Sequence, residues 1–408
     1  MSKYKEKICV LGLGYIGLPT AAILSNRGFT VHGVDVNQEI VETINKGDIH
    51  IIEPGLNKLV KSSIEKGKLI ASTVPKKSDI YLICVPTPFK SDTQIPTPNI
   101  DYVLEAAKSI SSLLEPGNIV IIESTSPVGT TEEIARTFRE QNINTDDISI
   151  AYCPERVLPG KIINELIEND RIVGGINDKS SINAANFYKK FIEGDVIKTS
   201  SKTAEMCKLS ENSFRDLNIA FANELSILCD RHDIDVWELI ELANHHPRVE
   251  ILQPGAGVGG HCIAVDPWFI VSNDPENAKI IKTAREINNY KPQWIVNKTL
   301  KEVEYIRINK KIEPKVACLG LSFKPDIDDL RESPAIDIVR SLYQKGLDVA
   351  CVEPNINSHD EFNLTSLEDI MQYDLILILV KHKEFDNVEV FKNLKRSPKI
   401  LNFCGAKI

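Results

Sequence analysis

The segment KICVLGLGYIGLPTAAILSNRGFTVHGVD, residues 7–35, decides the fold. Lys7 to Val10 is a short β-rich run. Gly12, Gly14 and Gly17 follow in GLGYIG, a helical pattern runs from Leu18 to Arg27, and the apolar run Phe29 to Val34 ends on Asp35. A GxGxxG alone is weak, but this one lies between a strand and a helix, and Asp35 stands 23 positions after Gly12. That context completes the dinucleotide-binding fingerprint. Gly12 permits the turn, Gly14 leaves room for a pyrophosphate at the helix N-terminus, and Gly17 lets helix and strand approach; Asp35 can accept from both ribose hydroxyls. An acid there repels a 2′-phosphate, so the expected cofactor is NAD rather than NADP.

The same rhythm continues outward from this unit. Strands are expected at Ile80 to Val85, Ile119 to Ile122 and Ile148 to Tyr152, with helices near Asp101 to Leu114 and Thr130 to Arg139. The alternation predicts a doubly wound parallel sheet, whose ligands bind beyond the carboxyl ends of the strands. Thr87 and Thr125 therefore point at the cofactor crevice, although hydroxyls in such places also serve as plain turn or cap groups. The proline-rich loop from Pro86 to Asn99 reads as a mobile cover without chemistry of its own. After the third of these strands come Cys153-Pro154-Glu155-Arg156-Val157, where a carboxylate beside an arginine suits either a general base or a salt-bridged pair.

Near Ser200 the pattern changes to one long helix, Lys202 to Arg231, followed by more helix from Val236 to Ala243. Lys208, Asn212 and Arg215 recur at i, i+4, i+7 and share a face. A solvated stripe is the ordinary explanation, but the neighbouring Ile219, Ala220, Phe221 and Ala222 imply a helix buried between domains or subunits, where cations need an anionic partner. His245, His246 and Arg248 follow; adjacent histidines rarely face one metal, so His246 reads as a substrate or structural contact and no metal is expected. Gln253 to Trp268, QPGAGVGGHCIAVDPW, then sets Cys262 after four glycines in six positions and four residues before Asp266. Glycines leave backbone N–H groups free to converge beside the sulfur and favour a thiolate, whereas an isolated cysteine is more often a small buried residue. A second long helix is expected from Asn277 to Ile306.

From Lys315 the chain begins again as β/α: KVACLGLSF, a helix from Ala335 to Gln344, Leu347 to Cys351, and Glu353-Pro354-Asn355 echoing Asp35-Val36-Asn37. The glycine fingerprint is missing, and Phe323 and Lys324 through Arg331 stand in its place, so this half reads as a second nucleotide site for something other than NAD. The expected architecture is α/β: two Rossmann-like doubly wound parallel-sheet domains, residues 1–199 and 309–408, joined by a central helical domain, 200–308, with a long helix.

Composition bounds the rest. The 408 residues carry a formal charge of -9 with pI near 5.5, which argues against nucleic acid or an anionic membrane as partner. The nine cysteines include no CxxC pair and suit a reducing cytoplasm, and no HExxH occurs. The N-terminal segment passes from charged residues directly into a strand, unlike a signal peptide, and no apolar run is long enough to span a bilayer.

Taken in order, GLGYIGLP, STSPVGTT, CPERVLPG, CKLSENSFRD, GVGGHCIAVDP and FKPDIDDLRESP resemble the UDP-glucose/GDP-mannose 6-dehydrogenases, most closely the branch acting on UDP-N-acetyl-D-mannosamine. The resemblance implies an NAD domain, a helical dimerisation domain, a UDP-binding domain, a homodimer, and a four-electron oxidation of a UDP-N-acetylhexosamine C6 alcohol to a carboxylate, serving surface polysaccharide synthesis. It implies that Cys262 forms a thiohemiacetal and then a thioester, that Lys208 and Asn212 hold the C6 oxygen, and that Glu155 and Asp266 handle protons and the hydrolytic water. It also implies sugar-nucleotide contacts from Arg156, Val157, Arg215, His246, Arg248, Gly259, Phe323 and Lys324. Arg331 would touch the cofactor or the diphosphate, and Tyr15, Ile16, Asp35, Thr87 and Thr125 would line the NAD site. UDP-glucose members usually carry lysine before the aspartate that Asp266 matches; Val265 stands here and argues against glucose. The alternatives are UDP-N-acetyl-D-glucosamine as substrate, a two-electron β-hydroxyacid-type dehydrogenase, and a silent nucleotide-sugar sensor.

Overall fold

The computed structural model describes residues 4–90, 93–158, 160–260, 262–386, 391 and 398–407. The chain divides into two compact units, Met1–Ser210 with Trp268–Asn273, and Glu211–Pro267 with Asp274–Ile408.

In the first unit the order is β1 (Lys7–Leu11), α1 (Gly17–Arg27), β2 (Thr30–Val34), α2 (Gln38–Asn45), α3 (Leu56–Glu65), β3 (Leu69–Ser72), β4 (Ile80–Ile83), α4 (Asp101–Ile110), β5 (Ile119–Ile122), α5 (Thr130–Glu140), β6 (Ser149–Tyr152), α6 (Ile162–Glu168), β7 (Arg171–Gly175), α7 (Asp178–Tyr188) and β8 (Val196–Ser200). The strands form one sheet in the order β3-β2-β1-β4-β5-β6-β7-β8. All neighbours are parallel except β6 and β7, which pair antiparallel through Ala151↔Gly175 and Tyr152↔Gly174. The strands read as unbroken apolar runs because both faces are covered: Ile8 and Val10 enter one core cluster while Cys9 and Leu11 enter the other. Strand order reverses between β2 and β4 about β1, which opens a crevice at their carboxyl ends.

The helix α8 (Ser201–Arg231) begins in this unit. Its first turns are fastened there by Glu205, whose carboxylate accepts from Gly129 N–H at 2.7 Å, Thr131 N–H at 2.8 Å and Thr131 Oγ1 at 2.6 Å. Those amides are among the unpaired donors that open α5, so one buried acid satisfies them all.

The second unit holds the rest of α8, then α9 (Val236–Asn244), the start of α10 (Asp266–Asn273), α11 (Lys279–Lys310), β9 (Val316–Leu319), α12 (Pro334–Gln344), β10 (Val349–Val352), β11 (Leu375–Ile378) and β12 (Lys399–Asn402). Its sheet is parallel, ordered β10-β9-β11-β12. Val316 and Cys318 face Ile295, Val303 and Ile338, whereas Ala317 and Leu319 face Ile370, Phe385 and Ala406. Pro292 lies inside α11, where its ring removes one helical hydrogen bond. Among the described residues no helix is long and apolar enough to cross a membrane.

Candidate active site

The glycines of the opening fingerprint do three different jobs. Gly12 has φ +89°, and a Cβ there would meet the Cys84 carbonyl oxygen at 2.8 Å; a Cβ on Gly17 would fall 1.8 Å from the Gly12 oxygen. Both glycines are required by packing. Gly14 is different: a Cβ on it would meet nothing within 4 Å, so its bare backbone borders open space just before α1. Tyr15 is exposed and Ile16 caps the helix without a side-chain acceptor; Leu18 N–H donates to the Gly14 carbonyl at 3.1 Å and Pro19 has no N–H, so the backbone from Gly14 to Gly17 is the part of this turn that borders the open space. Asp35, half-buried after β2, accepts from Leu13 N–H and Asn37 N–H at 3.0 Å each, which fixes the carboxylate at the carboxyl end of that strand. These residues fit a dinucleotide. Thr87 and Thr125 meet across the loops after β4 and β5, with Thr87 Oγ1 donating to the Thr125 carbonyl at 2.7 Å. The cover expected over Pro86 to Asn99 is tied to itself by Lys90 N–H to Thr97 O at 2.8 Å and Asn99 N–H to Pro88 O at 2.6 Å; residues 91–92 lie outside the described ones.

Beyond β6, Glu155 is buried, and the guanidinium that takes its carboxylate belongs to Arg171: Arg171 Nη1 donates to Oε2 at 2.6 Å with both side chains nearly sealed. The sequence left open a general base or a salt-bridged pair for the Glu155-Arg156 segment, and the carboxylate here has an ion pair to Arg171. Arg156 N–H donates to Oε1 at 2.6 Å through the backbone, while its guanidinium donates to the Asp170 carbonyl at 3.4 Å. Both oxygens of the Glu155 carboxylate are thus engaged. Lys208 of α8 donates to the Glu155 backbone carbonyl at 2.7 Å. Arg171, Lys208 and Glu155 thus form one rigid corner, with Val157 half-buried next to it. A second acid, Glu123, lies behind; it accepts from Tyr188 Oη at 2.6 Å and Cys84 Sγ at 3.3 Å. Burial pushes its carboxyl up, countered by Arg171 and reinforced by Glu155. Arg171 and Glu123 escaped sequence reading because an arginine opening a strand and an acid closing one leave no periodic signal.

In the second unit, Asn212 Nδ2 donates to Asp266 Oδ2 at 2.5 Å, and both residues are buried. Asp266 N–H and Val265 N–H both donate to the Cys262 carbonyl, at 2.8 and 3.0 Å, closing the turn that leads into α10. Cys262 is exposed on the turn that leads into that helix. His261 lies outside the described residues. The glycines preceding it pack without room for side chains: a Cβ on Gly259 would meet the Glu332 oxygen at 2.3 Å and Phe323 Cβ at 3.0 Å, and one on Gly260 would meet the Phe323 ring at 2.8 Å. Phe323 and Gly259, separated by 64 positions, are therefore neighbours. Lys324 is exposed beside them in sequence, and Arg331 is exposed with its guanidinium on Asp329 at 2.7 Å.

Three expected substrate contacts, Arg215, His246 and Arg248, are solvent-exposed, and His246 Nδ1 accepts only the local Arg248 N–H at 3.3 Å. On the α8 face of the single chain Arg215 is exposed, as are Phe214 at 69% and Phe221 at 49%. The small residues Ala220 and Ala222 are covered; the large ones look outward.

Three family profiles match in succession: the UDP-glucose/GDP-mannose dehydrogenase NAD binding domain at residues 6–192, its central domain at 202–290 and its UDP binding domain at 317–405. The chain is similar to the UDP-N-acetyl-D-mannosamine dehydrogenase of Campylobacter jejuni, 54% identical over 98% of this chain and 99% of that protein. It is 49% identical, over 94% and 92%, to the NDP-N-acetyl-D-galactosaminuronic acid dehydrogenase of Ralstonia solanacearum. Among solved structures, the UDP-N-acetyl-mannosamine dehydrogenase Cap5O from S. aureus superposes with a TM-score of 0.85 at 40% identity, covering 98% of this chain and 95% of that one. The chain belongs to the UDP-glucose/GDP-mannose dehydrogenase family and is an NAD-dependent oxidoreductase.

Proposed function

We propose that this protein oxidises the C6 alcohol of UDP-N-acetyl-D-mannosamine to the carboxylate, with Cys262 holding the sugar between two oxidative stages. NAD, when bound, accepts one hydride at each stage. The observation that carries the reading is the Asn212–Asp266 pair, whose aspartate is linked through its own N–H to the Cys262 carbonyl, so that three residues of the family's motifs form one local unit.

The Lys208 ammonium, oriented by the Glu155 carbonyl, stabilises the oxyanion that forms at C6. Asn212 shares that role through its amide. The Cys262 thiolate adds to the C6 aldehyde and gives a thiohemiacetal; oxidation yields the thioester, and water releases the acid and restores the thiol. Asp266 takes the proton from that water. Glu155 acts by orientation: bonded to Arg171 and to Arg156 N–H, it holds the lysine in place. Residues 1–199 carry NAD, 200–308 the catalytic helix and cysteine, and 309–408 the uridine diphosphate, with Phe323, Lys324 and Gly259 on the nucleotide and Arg331 on a phosphate.

The relatives named for UDP-N-acetyl-D-mannosamine support the acetamido sugar, as does Val265 in place of lysine. A homodimer is part of the proposal: Phe214, Phe221 and Leu228 recur every seven positions on α8 at 69%, 49% and 47% exposure, the spacing of a seam that a second helix covers. The product would enter surface polysaccharide synthesis from the cytoplasm.

The test is NADH release from UDP-ManNAc, UDP-GlcNAc and UDP-glucose side by side. UDP-ManNAc is expected to turn over fastest with two NADH per sugar, and Cys262→Ala to abolish acid formation. One NADH per sugar would select a two-electron dehydrogenase, and full acid release by the alanine variant would remove the covalent mechanism.

A further inference from the structure

A buried polar chain crosses from α11 to α8 and ends on the cysteine loop. Asp216, Asn223, Arg285 and Asn288 are each at most 2% exposed. Arg285 Nη1 donates to Asp216 Oδ1 at 2.6 Å, Asn288 Nδ2 donates to the same oxygen at 2.8 Å, and Asn223 Nδ2 donates to Asn288 Oδ1 at 2.9 Å. The last link leaves the helices: Gly255 N–H donates to Asn223 Oδ1 at 2.9 Å. Well-packed apolar side chains often stabilise such a position as well as a buried ionic network does, so stability alone is a weak reason for four sealed polar groups.

Geometry supplies a better reason. Asn212 and Asn223 are eleven positions apart, and at about 3.6 residues per turn they return to one face of α8 after three turns, about 16 Å along the axis. Asn223 takes the loop where it begins, at Gly255, and Asn212 takes it where it ends, at Asp266. Between them Gly257 rests on Pro334, which a Cβ would meet at 2.9 Å, and Gly260 rests on Phe323. The loop is pinned at both ends and along its middle, with Cys262 exposed near its far end.

We infer that Asn223 is a positioning residue for Cys262: its Oδ1 fixes the Gly255 backbone and so sets the register in which the loop presents the sulfur. This rests on the reading of Cys262 as the nucleophile. A displacement of about an ångström at a reacting group can cost on the order of a hundredfold in rate, so an anchor this far from the chemistry has a measurable effect.

The experiment compares Asn223→Ala, Asn223→Asp and Gly255→Pro with the natural protein. It measures kcat and KM for the sugar nucleotide, NAD affinity, thermal midpoint, and the rate of iodoacetamide alkylation at Cys262 across the neutral pH range. Asn223→Ala is expected to lower kcat and Cys262 alkylation by about tenfold to a hundredfold with NAD affinity unchanged. Asn223→Asp keeps the acceptor for Gly255 N–H while setting a carboxylate against Asn288 Oδ1, so it should be less stable than the alanine variant yet recover most of the alkylation rate and kcat. Gly255→Pro removes the N–H from the loop side, and adds a ring that fixes φ and turns Cδ toward Asn223 Oδ1, so it should lower kcat and alkylation at least as far as the alanine variant. Activity that simply tracks the thermal midpoint, with the aspartate variant below the alanine one, overturns the inference, as does an alanine variant with the natural alkylation profile. If alkylating Cys262 in the natural protein leaves acid formation intact, the nucleophile reading itself has failed.

Discussion

The two sheets of this molecule open with the same device and use it for opposite ends. In each, a glycine after the first strand donates to the last carbonyl of its neighbour: Gly12 to Val34 and Gly320 to Val352, both at 2.8 Å. In each, the next residue donates to an acid, Leu13 to Asp35 at 3.0 Å and Leu321 to Glu353 at 2.7 Å, and an asparagine two places on returns its N–H to the other oxygen, Asn37 at 3.0 Å and Asn355 at 3.1 Å. The acids then diverge. Asp35 stays half-buried at the edge of the space left by Gly14, whereas the Glu353 side chain is fully buried and bonded to His382 Nε2 at 3.0 Å and Ser322 N–H at 3.1 Å. One carboxylate keeps acceptor capacity at a half-buried edge; the other is spent on holding its own loop. A shared backbone motif therefore does not by itself mark a ligand site; the acid's remaining lone pairs do.

The largest expected effect breaks the second copy. Glu353→Ala orphans the Leu321 and Ser322 amides and takes the 3.0 Å partner from His382 Nε2, and should cost roughly 3 kcal/mol or more in urea unfolding. Burial alone would raise the Glu353 carboxyl, but hydrogen bonds from His382, Leu321 N–H and Asn355 outweigh it and hold the value at about 2, below the ordinary 4.5. Because the folded value is the lower one, its contribution is full above about pH 4.5 and lost as pH falls toward about 2. Unfolding curves through that window should be flatter in Glu353→Gln. The corresponding change in the first copy, Asp35→Ala, frees only the Leu13 and Asn37 amides at a half-buried site and should cost about 1 kcal/mol, while NAD affinity falls about tenfold to a hundredfold by calorimetry. Equal stability losses in the two variants would end the contrast. A finer test lies inside the first loop. Gly17→Ala places a methyl against the Gly12 oxygen and should destabilise by about 3 kcal/mol, whereas Gly14→Ala meets no protein atom and should weaken NAD binding by about threefold to tenfold without altering unfolding.

Local pattern made much of this legible. The strand-glycine-helix-acid order of residues 7–35 is a contiguous signal, and the long helix expected over 202–231 appears as Ser201–Arg231 because thirty residues without proline or glycine leave few alternatives. The echo of Asp35-Val36-Asn37 in Glu353-Pro354-Asn355 was also visible, and it pointed to a shared backbone device while hiding the difference in burial. Pairings between distant segments were not legible. Glu155 and Arg171 are separated by a whole helix, Asn223 and Gly255 by the α9 turn, and nothing in spacing tells which guanidinium or amide will arrive. Exposure was equally hidden: Arg215 and Phe214 stand on a helix rich in small apolar residues, yet both are exposed.

The order of residues alone determined the class of sheet, the glycine turn that meets a pyrophosphate, and the cysteine set after a run of glycines, because each depends on backbone conformation and side-chain period within a few consecutive residues. Tertiary structure alone decided which groups remain available for chemistry. Whether an acid is sealed like Glu353 or half-open like Asp35, and which guanidinium meets Glu155, follows from desolvation and from partners brought in across long stretches of chain, and those are properties of the folded arrangement.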